Sequence, residues 1–443
     1  MLTDVIAALA TPPGRSALAV VRVSGSGAIE TVQRLTRREL ASLPDRSATL
    51  CTLFAADGNT LDQAILTLYR APHSYTGQDL VEVSCHGGLL VPAQILAALH
   101  SAGARQADPG EFTRRALLNG KLDLLQAEAV GDLIDATVPA QGKAALHQLD
   151  GGLSRRIQGL RETLLELLSL LDYDIDFPEE DDGPVPPERI RGQLDAAQRS
   201  VAQLLMTAPA GERLREGALV VLAGRPNAGK SSLFNALLGI HRALVTEIPG
   251  TTRDTIEASS EVQGWPIRLA DTAGLRDADE RLEQMGIEVS KRYVAAADLL
   301  LLCVEAGRML TAEEWRLLEE RPALLVRSKI DLVPVAERES ESGNPVSVIT
   351  GEGLDRLRQS IADRLFSSQR GFASLEPMLT RERHREALGR AGRALEDAQL
   401  ELGDAVLAAH QVREAIAALE ELIGVIHPDE VLGRVFERFC VGK

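Results

Sequence analysis

Gly224-Arg-Pro-Asn-Ala-Gly229-Lys230-Ser231 decides how the rest of this chain is read. It fits G-x-x-x-x-G-K-[ST], with a continuous apolar run from Ala218 to Ala223 before it and apolar residues at helical spacing, Leu233, Phe234, Leu237 and Leu238, after it. A strand, a glycine-bearing turn and a helix in that order predict a phosphate-binding loop. The glycines let backbone N–H groups close around phosphates, and the helix N-terminus favours their charge. Asn227, Ala228, Gly229, Lys230, Ser231 and Ser232 are the candidate nucleotide contacts, with Lys230 reaching the outer phosphates and the Ser231 hydroxyl offered to Mg²⁺.

Downstream, the remaining elements of a nucleotide site follow in order. Gly250-Thr-Thr-Arg-Asp254 reads as a switch, with Thr252 as a second Mg²⁺ hydroxyl. Asp271-Thr-Ala-Gly274, after the strand Ile267 to Ala270, supplies a carboxylate near Mg²⁺ and a glycine N–H for the γ-phosphate. Leu275 stands where many GTPases carry a water-orienting Gln, so the polar group for hydrolysis comes from elsewhere, and Glu283 is the candidate. Ser328-Lys329-Ile330-Asp331 follows the strand Ala323 to Val326, and there Asp331 can accept both N–H donors of a guanine edge, which adenine lacks. The usual pattern is Asn-Lys-x-Asp, so Ser328 is a departure. Ser347-Val348-Ile349 stands where such proteins carry Ser-Ala-x.

Outward from this core, strands at 218–223, 299–304 and 323–326 alternate with helical segments, which predicts an α/β unit with a largely parallel sheet. Before it, Leu153, Ile157, Leu160, Leu164, Leu167, Leu168 and Leu171 keep helical spacing, an acidic proline-bearing stretch from Asp174 to Pro187 interrupts, and a second helix reaches about Met206. After Phe366 the helical pattern returns over Glu386 to Leu407 and Val412 to Val425, and Pro428 precedes a last helix near Glu430 to Phe439. The N-terminal part mixes short β-branched runs with Gly/Pro turns and reads as α+β. The expectation is a multidomain α/β and α+β protein: an N-terminal α+β domain over 1–118, a long-helix domain over 119–213 and 371–443, and a Ras-like P-loop GTPase domain, 214–370, inserted into it.

Composition narrows the class. A chain of 443 residues exceeds one ordinary core, and its net charge of -16 argues against coating nucleic acid by bulk charge, so any RNA contact is local. Cys51, Cys85, Cys303 and Cys440 form no CxxC pair, and no apolar run reaches the roughly 20 residues that cross a bilayer, so a cytoplasmic protein away from membranes is expected. The run Arg381, Arg383, Arg385, Arg390 and Arg393 alternates with Glu382 and Glu386, which favours a solvated helix face over an RNA contact.

Four further stretches, Thr11-Pro-Pro-Gly-Arg15, Ser74-Tyr-Thr-Gly77 through His86-Gly-Gly88, Pro109-Gly-Glu-Phe112 through Lys121-Leu-Asp123, and Cys440-Val-Gly-Lys443, join the GTPase motifs. Together they resemble the MnmE (TrmE) family of tRNA-modification GTPases along essentially the whole chain, with Val441 where the family usually has Ile. The resemblance implies a potassium-activated GTPase, dimeric through its N-terminal domains. Each of these would bind 5-formyltetrahydrofolate or a related tetrahydrofolate through Arg22, Glu82, Lys121 and Lys443. It implies an FAD-binding partner, MnmG (GidA), in a heterotetramer, and modification of C5 of the wobble uridine of certain tRNAs to an aminomethyl or carboxymethylaminomethyl group. It implies K⁺ held by Asn227, Thr246 and backbone oxygens near Ile248 and Thr251, with Thr246 and Thr251 also at the nucleotide, and Glu283 orienting water. Cys440 is a candidate nucleophile beside the folate, its other reading being a packed small hydrophobe. Two competing functions stay open: a GTPase binding switch in ribosome assembly, and a folate enzyme whose GTPase is vestigial.

Overall fold

The computed structural model describes residues 4–176, 185–239, 257–271, 291–338, 342–366, 377–424, 429–437 and 439–443. They group into two compact units, Met1–Gly131 with Glu420–Lys443, and Asp132–Leu419.

The first unit is built on a six-stranded sheet of β1 (Ile6–Leu9), β2 (Leu18–Ser24), β3 (Thr49–Phe54), β4 (Thr60–Tyr69), β5 (Leu80–His86) and β6 (Arg105–Gln106), in the order β3-β4-β5-β2-β1-β6. Only the β1–β6 pair is parallel. Alternation sorts the two faces: Ala7, Val21, Val23, Val81 and Val83 point into a core shared with Ile95 and Leu99 of the helix Leu90–Ser101. The opposite face carries Arg22 on β2 directly across from Glu82 on β5. A smaller cluster of Ile6, Ala8, Ala107 and Phe112, with Tyr75 packed on it, covers part of that face.

By its contacts the tail beyond Glu420 groups with the N-terminal sheet. Val441 bridges Pro109 in antiparallel fashion, and the N–H of Phe112 donates to the Lys443 carbonyl at 3.1 Å.

The second unit joins long helices, Pro139–Leu149, Gly152–Asp176, Pro187–Glu216 and Glu382–Leu400, to a second six-stranded sheet. Its strands are β7 (Ala218–Gly224), β8 (Glu257–Val262), β9 (Trp265–Asp271), β10 (Leu299–Glu305), β11 (Ala323–Ser328) and β12 (Asn344–Pro345), ordered β12-β11-β10-β7-β9-β8 with only β8 antiparallel. The apolar runs that predicted β7 and β10 are buried along their length, as strands covered on both faces require. β7 lies between β9 and β10, so the loop that leaves its C-terminal end opens where the strand order reverses, the usual ligand position in such sheets.

Two helix ends differ from expectation. The helix expected to stop near Met206 runs on through Pro209 to Glu216, with the Thr207 hydroxyl donating to the Leu204 carbonyl at 2.6 Å in the turn before the proline. The helix expected to continue to Leu407 ends at Leu400. Asp404 starts the next one, its carboxylate accepting the N–H groups of Val406 and Leu407 at 3.0 and 3.3 Å, which is N-cap chemistry.

Candidate functional site

The phosphate loop is shaped by its backbone. Gly229 sits at φ 82° as the N-cap of the helix Lys230–Leu238, and Asn227 at φ 63° also takes the left-handed region. Gly224 has φ 139°, and a Cβ there would run into the Cys303 carbonyl of β10. The motif glycines are thus demanded by turn and strand packing as well as by a ligand.

Lys230 is buried, and its ammonium donates to the carbonyls of Gly224 and Arg225 at 2.9 and 2.8 Å, folded back over the loop. The Ser231 hydroxyl donates to Asp271 Oδ2 at 2.7 Å, bringing two hard oxygen groups together at the helix N-terminus, a donor set that suits Mg²⁺. Ser328, the departure from Asn, is buried and its hydroxyl donates to the Ala228 carbonyl at 2.7 Å, tying the base-recognition strand to the phosphate loop. Lys329 takes φ 58° and pairs with Glu305 at 3.5 Å, and Asp331 lies in the short helix Ile330–Leu332. Ser347 is fully buried and its hydroxyl accepts the Thr350 N–H at 3.2 Å, while Ile349 is exposed, so Val348 and Ile349 rim the same end of the sheet. Thr246, Ile248, Thr251, Thr252, Gly274 and Glu283 lie outside the described residues.

Sequence reading missed one support of the loop. Arg225 forks onto Glu314 at 2.9 and 2.7 Å and donates to the Met309 carbonyl at 3.1 Å. Glu314 is buried as the N3 residue of a capping box with Thr311, and the arginine beside it holds its carboxyl below the usual carboxylate range against the opposing effect of burial. The Thr-x-x-Glu pattern at 311–314 was a readable signal for the helix start, though not for the arginine it would hold.

In the first unit, Arg22 and Glu82 form an ion pair at 2.9 Å. Tyr69 donates its hydroxyl to the other Glu82 oxygen at 3.4 Å, and the Tyr75 ring lies 5.6 Å from the Arg22 guanidinium. Arg22 also donates to the Gly442 carbonyl at 3.5 Å, which brings the tail alongside. Burial, and then the charge of Arg22, lower the Lys443 amine below the ordinary lysine value of 10.5, while Glu82 opposes them. Three of the four predicted charges therefore converge. Lys121 donates to the Pro72 carbonyl at 3.1 Å, on the loop that also carries Tyr75 and Gly77. Cys440 is exposed, whereas the Cys85 and Cys303 thiols are pushed up to about 11 and about 12 by burial and are inert. Tyr69 and Tyr75 were not predicted, since an isolated tyrosine carries no positional signal.

The lysine shift has a checkable sign. With the folded value depressed, the unfolded chain binds more protons between that value and 10.5, so this group's contribution to stability rises with pH across that window. Glu82→Gln removes the charge that raises the amine and moves its titration further down. Carbon-13 NMR of reductively methylated lysines reads this directly, and an unchanged Lys443 titration in that variant would refute the assignment.

Two arginines of the Arg-rich run pair partly with other helices: Arg385 bonds Glu212 at 3.1 Å and Glu382 of its own helix at 3.3 Å, and Arg381 bonds Asp132 at 2.7 Å. Among the described residues no helix is long and apolar enough to cross a membrane.

Comparison with known proteins covers the whole chain. Residues 5–121 match the family model described as the GTP-binding protein TrmE N-terminus, and residues 124–440 match the MnmE helical domain. Among curated relatives, the tRNA modification GTPase MnmE of Aquifex aeolicus (strain VF5) is 41% identical over 454 residues, covering 100% of both chains. Its namesake from Moorella thermoacetica is 42% identical over 466 residues, again with 100% of both covered. That from Thiobacillus denitrificans is 42% identical over 444 residues, covering 99% of this chain and 98% of its own.

Proposed function

The chain belongs to the MnmE family of tRNA modification GTPases, and from that premise we propose that it is a cytoplasmic, potassium-activated GTPase whose turnover drives modification of C5 of the wobble uridine in certain tRNAs. The observation that carries the GTPase is the Ser231–Asp271 contact at 2.7 Å beside buried Lys230, at the mouth of a strand–loop–helix. Lys230 has only to swing from the Gly224 and Arg225 carbonyls to reach the outer phosphates. Ser231 and Asp271 would hold Mg²⁺, with Thr252, and the ion when bound neutralises charge that develops on the phosphates. Asp331 selects guanine, and Ser328 fixes the position of its strand against the loop.

Asn227, on the loop, would hold K⁺ together with Thr246 and the backbone near Ile248 and Thr251, and Glu283 would orient the attacking water. The cation supplies the positive charge that an arginine finger gives other GTPases. In the first unit Arg22, Glu82, Lys121 and Lys443 would hold a tetrahydrofolate, which supplies the one-carbon unit, their charges suiting its pterin edge and its carboxylates. Leu50 and Ile65, an exposed pair directly opposite each other on β3 and β4, favour burial against a second copy through this sheet. An FAD-dependent partner would complete the reaction in a heterotetramer. A ribosome-assembly switch has no use for the charged cluster that the tail completes.

The testing experiment is the steady-state GTPase rate in matched KCl and NaCl. Potassium is expected to raise the rate about tenfold or more, and Asn227→Ala to erase the difference while GTP still binds. Equal rates in the two salts would withdraw the cation site. A cell extract in which the chain fails to restore modified wobble uridine would withdraw the tRNA reading.

A further inference from the structure

The GTPase sheet is joined to the helices by two crossings of the chain, Gly217 on the way in and Leu379 to Arg381 on the way out. Both are tied to the same small set of helical residues. Asp132 Oδ1 accepts Arg215 Nε at 3.0 Å, from the last turn before β7, and Arg381 Nη2 at 2.7 Å, from the N-cap of the first helix after the domain. Gln141 donates to the Arg215 carbonyl at 2.9 Å, and the Leu379 N–H donates to the Thr207 hydroxyl at 3.1 Å. On the sheet side Asp298 accepts Arg213 at 2.7 Å and the Leu219 N–H at 2.9 Å, so the entry arm is also fixed to β7 itself.

We propose that Asp132 is the positioning residue through which the nucleotide state of the GTPase domain reaches the rest of the protein, because one carboxylate oxygen holds both the entry and the exit of that domain. A rotation of the sheet on its two connections must either carry Asp132 with it or break one of two charge-assisted bonds. Asp132 sits near the end of the helix Leu124–Asp135, whose first turns, at Leu124 and Ala127, pack with Leu432 and Phe436. The same helix thus belongs, through its first turns, to the core that includes Leu432 and Phe436. This inference rests on the reading that GTP turnover serves tRNA modification.

Asp135 stands near the same arginines, its carboxyl held above the usual carboxylate range by burial and then by the charge of Asp132. It would take over the arginines if Asp132 alone were neutralised, so the test removes both charges. Asp132→Asn with Asp135→Asn is expected to keep the GTPase rate of the purified protein within about twofold of wild type. Modified wobble uridine, measured by mass spectrometry of tRNA nucleosides from a bacterial strain lacking its own family member, is expected to fall about tenfold or more. Asp132→Glu in the Asp135→Asn background, which returns one carboxylate to that position, should restore most of it. Wild-type modification in the double variant would overturn the proposal. So would joint loss of GTPase and modification with no recovery in Asp132→Glu, since the residue would then be packing alone. A wild-type chain that hydrolyses GTP yet restores no modification fails the tRNA reading, and the coupling with it.

Discussion

Lys230→Met reduces GTP turnover by about 10²–10³-fold and weakens GTP binding while leaving the fold intact, because the site loses its charge without losing its packing. The side chain is buried, with its ammonium shared by the Gly224 and Arg225 carbonyls. Methionine fills a similar volume, and the carbonyls lose one donor between them, a cost of about 1–3 kcal/mol that an intact chain of this size tolerates. The loop conformation itself depends on Gly229, Asn227 and the Ser328 bond to Ala228, none of which the substitution touches. Turnover is read by phosphate release, binding by a fluorescent GTP analogue, and folding by thermal melting. Turnover within about threefold of wild type would mean that Lys230 does not contact the phosphates, and the nucleotide site would have to be sought elsewhere.

The phosphate loop was legible in sequence because its chemistry is backbone chemistry. Only glycine fits at Gly224, where a Cβ would meet Cys303, and the left-handed N-cap at Gly229 favours it, so the constraint is written in residue type. The parallel sheet was legible for a related reason: β7 and β10, covered on both faces, leave unbroken apolar runs. Arg22 and Glu82 had no such signature. They are polar residues in alternating strands, paired only by a register between β2 and β5 that sequence does not display, and a family likeness alone singled them out. Asp132, Arg215 and Arg381 were invisible for a stronger reason, since an ion triad has no local pattern and its members lie far apart in the chain, two in separate helices and one at the N-cap of a third. The break at 401–404 was missed because apolar residues keep helical spacing across it, and Asp404 as an N-cap outweighs that periodicity. The predicted switch residues, Thr252 and Glu283 among them, lie outside the described residues.

Gly442→Ala should abolish tRNA modification as completely as deleting Cys440 to Lys443, with the GTPase rate unchanged in both. Gly442 takes φ 99°, which costs a residue with a Cβ about 1–2 kcal/mol, and that Cβ would be driven into the Leu9 carbonyl, with Ala10 Cα at 2.9 Å. Backbone on both sides leaves nothing flexible to give way. The tail is held by few bonds: the Gly110 N–H to the Cys440 carbonyl at 3.4 Å, the Phe112 N–H to the Lys443 carbonyl at 3.1 Å, and Arg22 to the Gly442 carbonyl at 3.5 Å. A methyl group that forces Gly442 away from Leu9 therefore releases the segment, and Lys443 leaves the Arg22–Glu82 pair. Tetrahydrofolate affinity, measured by calorimetry, is expected to drop about tenfold or more, and modification with it, since a charged contact to the folate is lost. Lys443→Ala separates the amine from the backbone: it keeps the Val441–Pro109 bridge and should reproduce the loss of folate affinity without releasing the tail. Cys440→Ser with full activity would exclude the thiol as a nucleophile, whereas its inactivity beside normal folate binding would make it the nucleophile. Full modification by the Gly442→Ala protein would show that the tail plays no part in the charged site, and Arg22 and Glu82 would then be a structural ion pair.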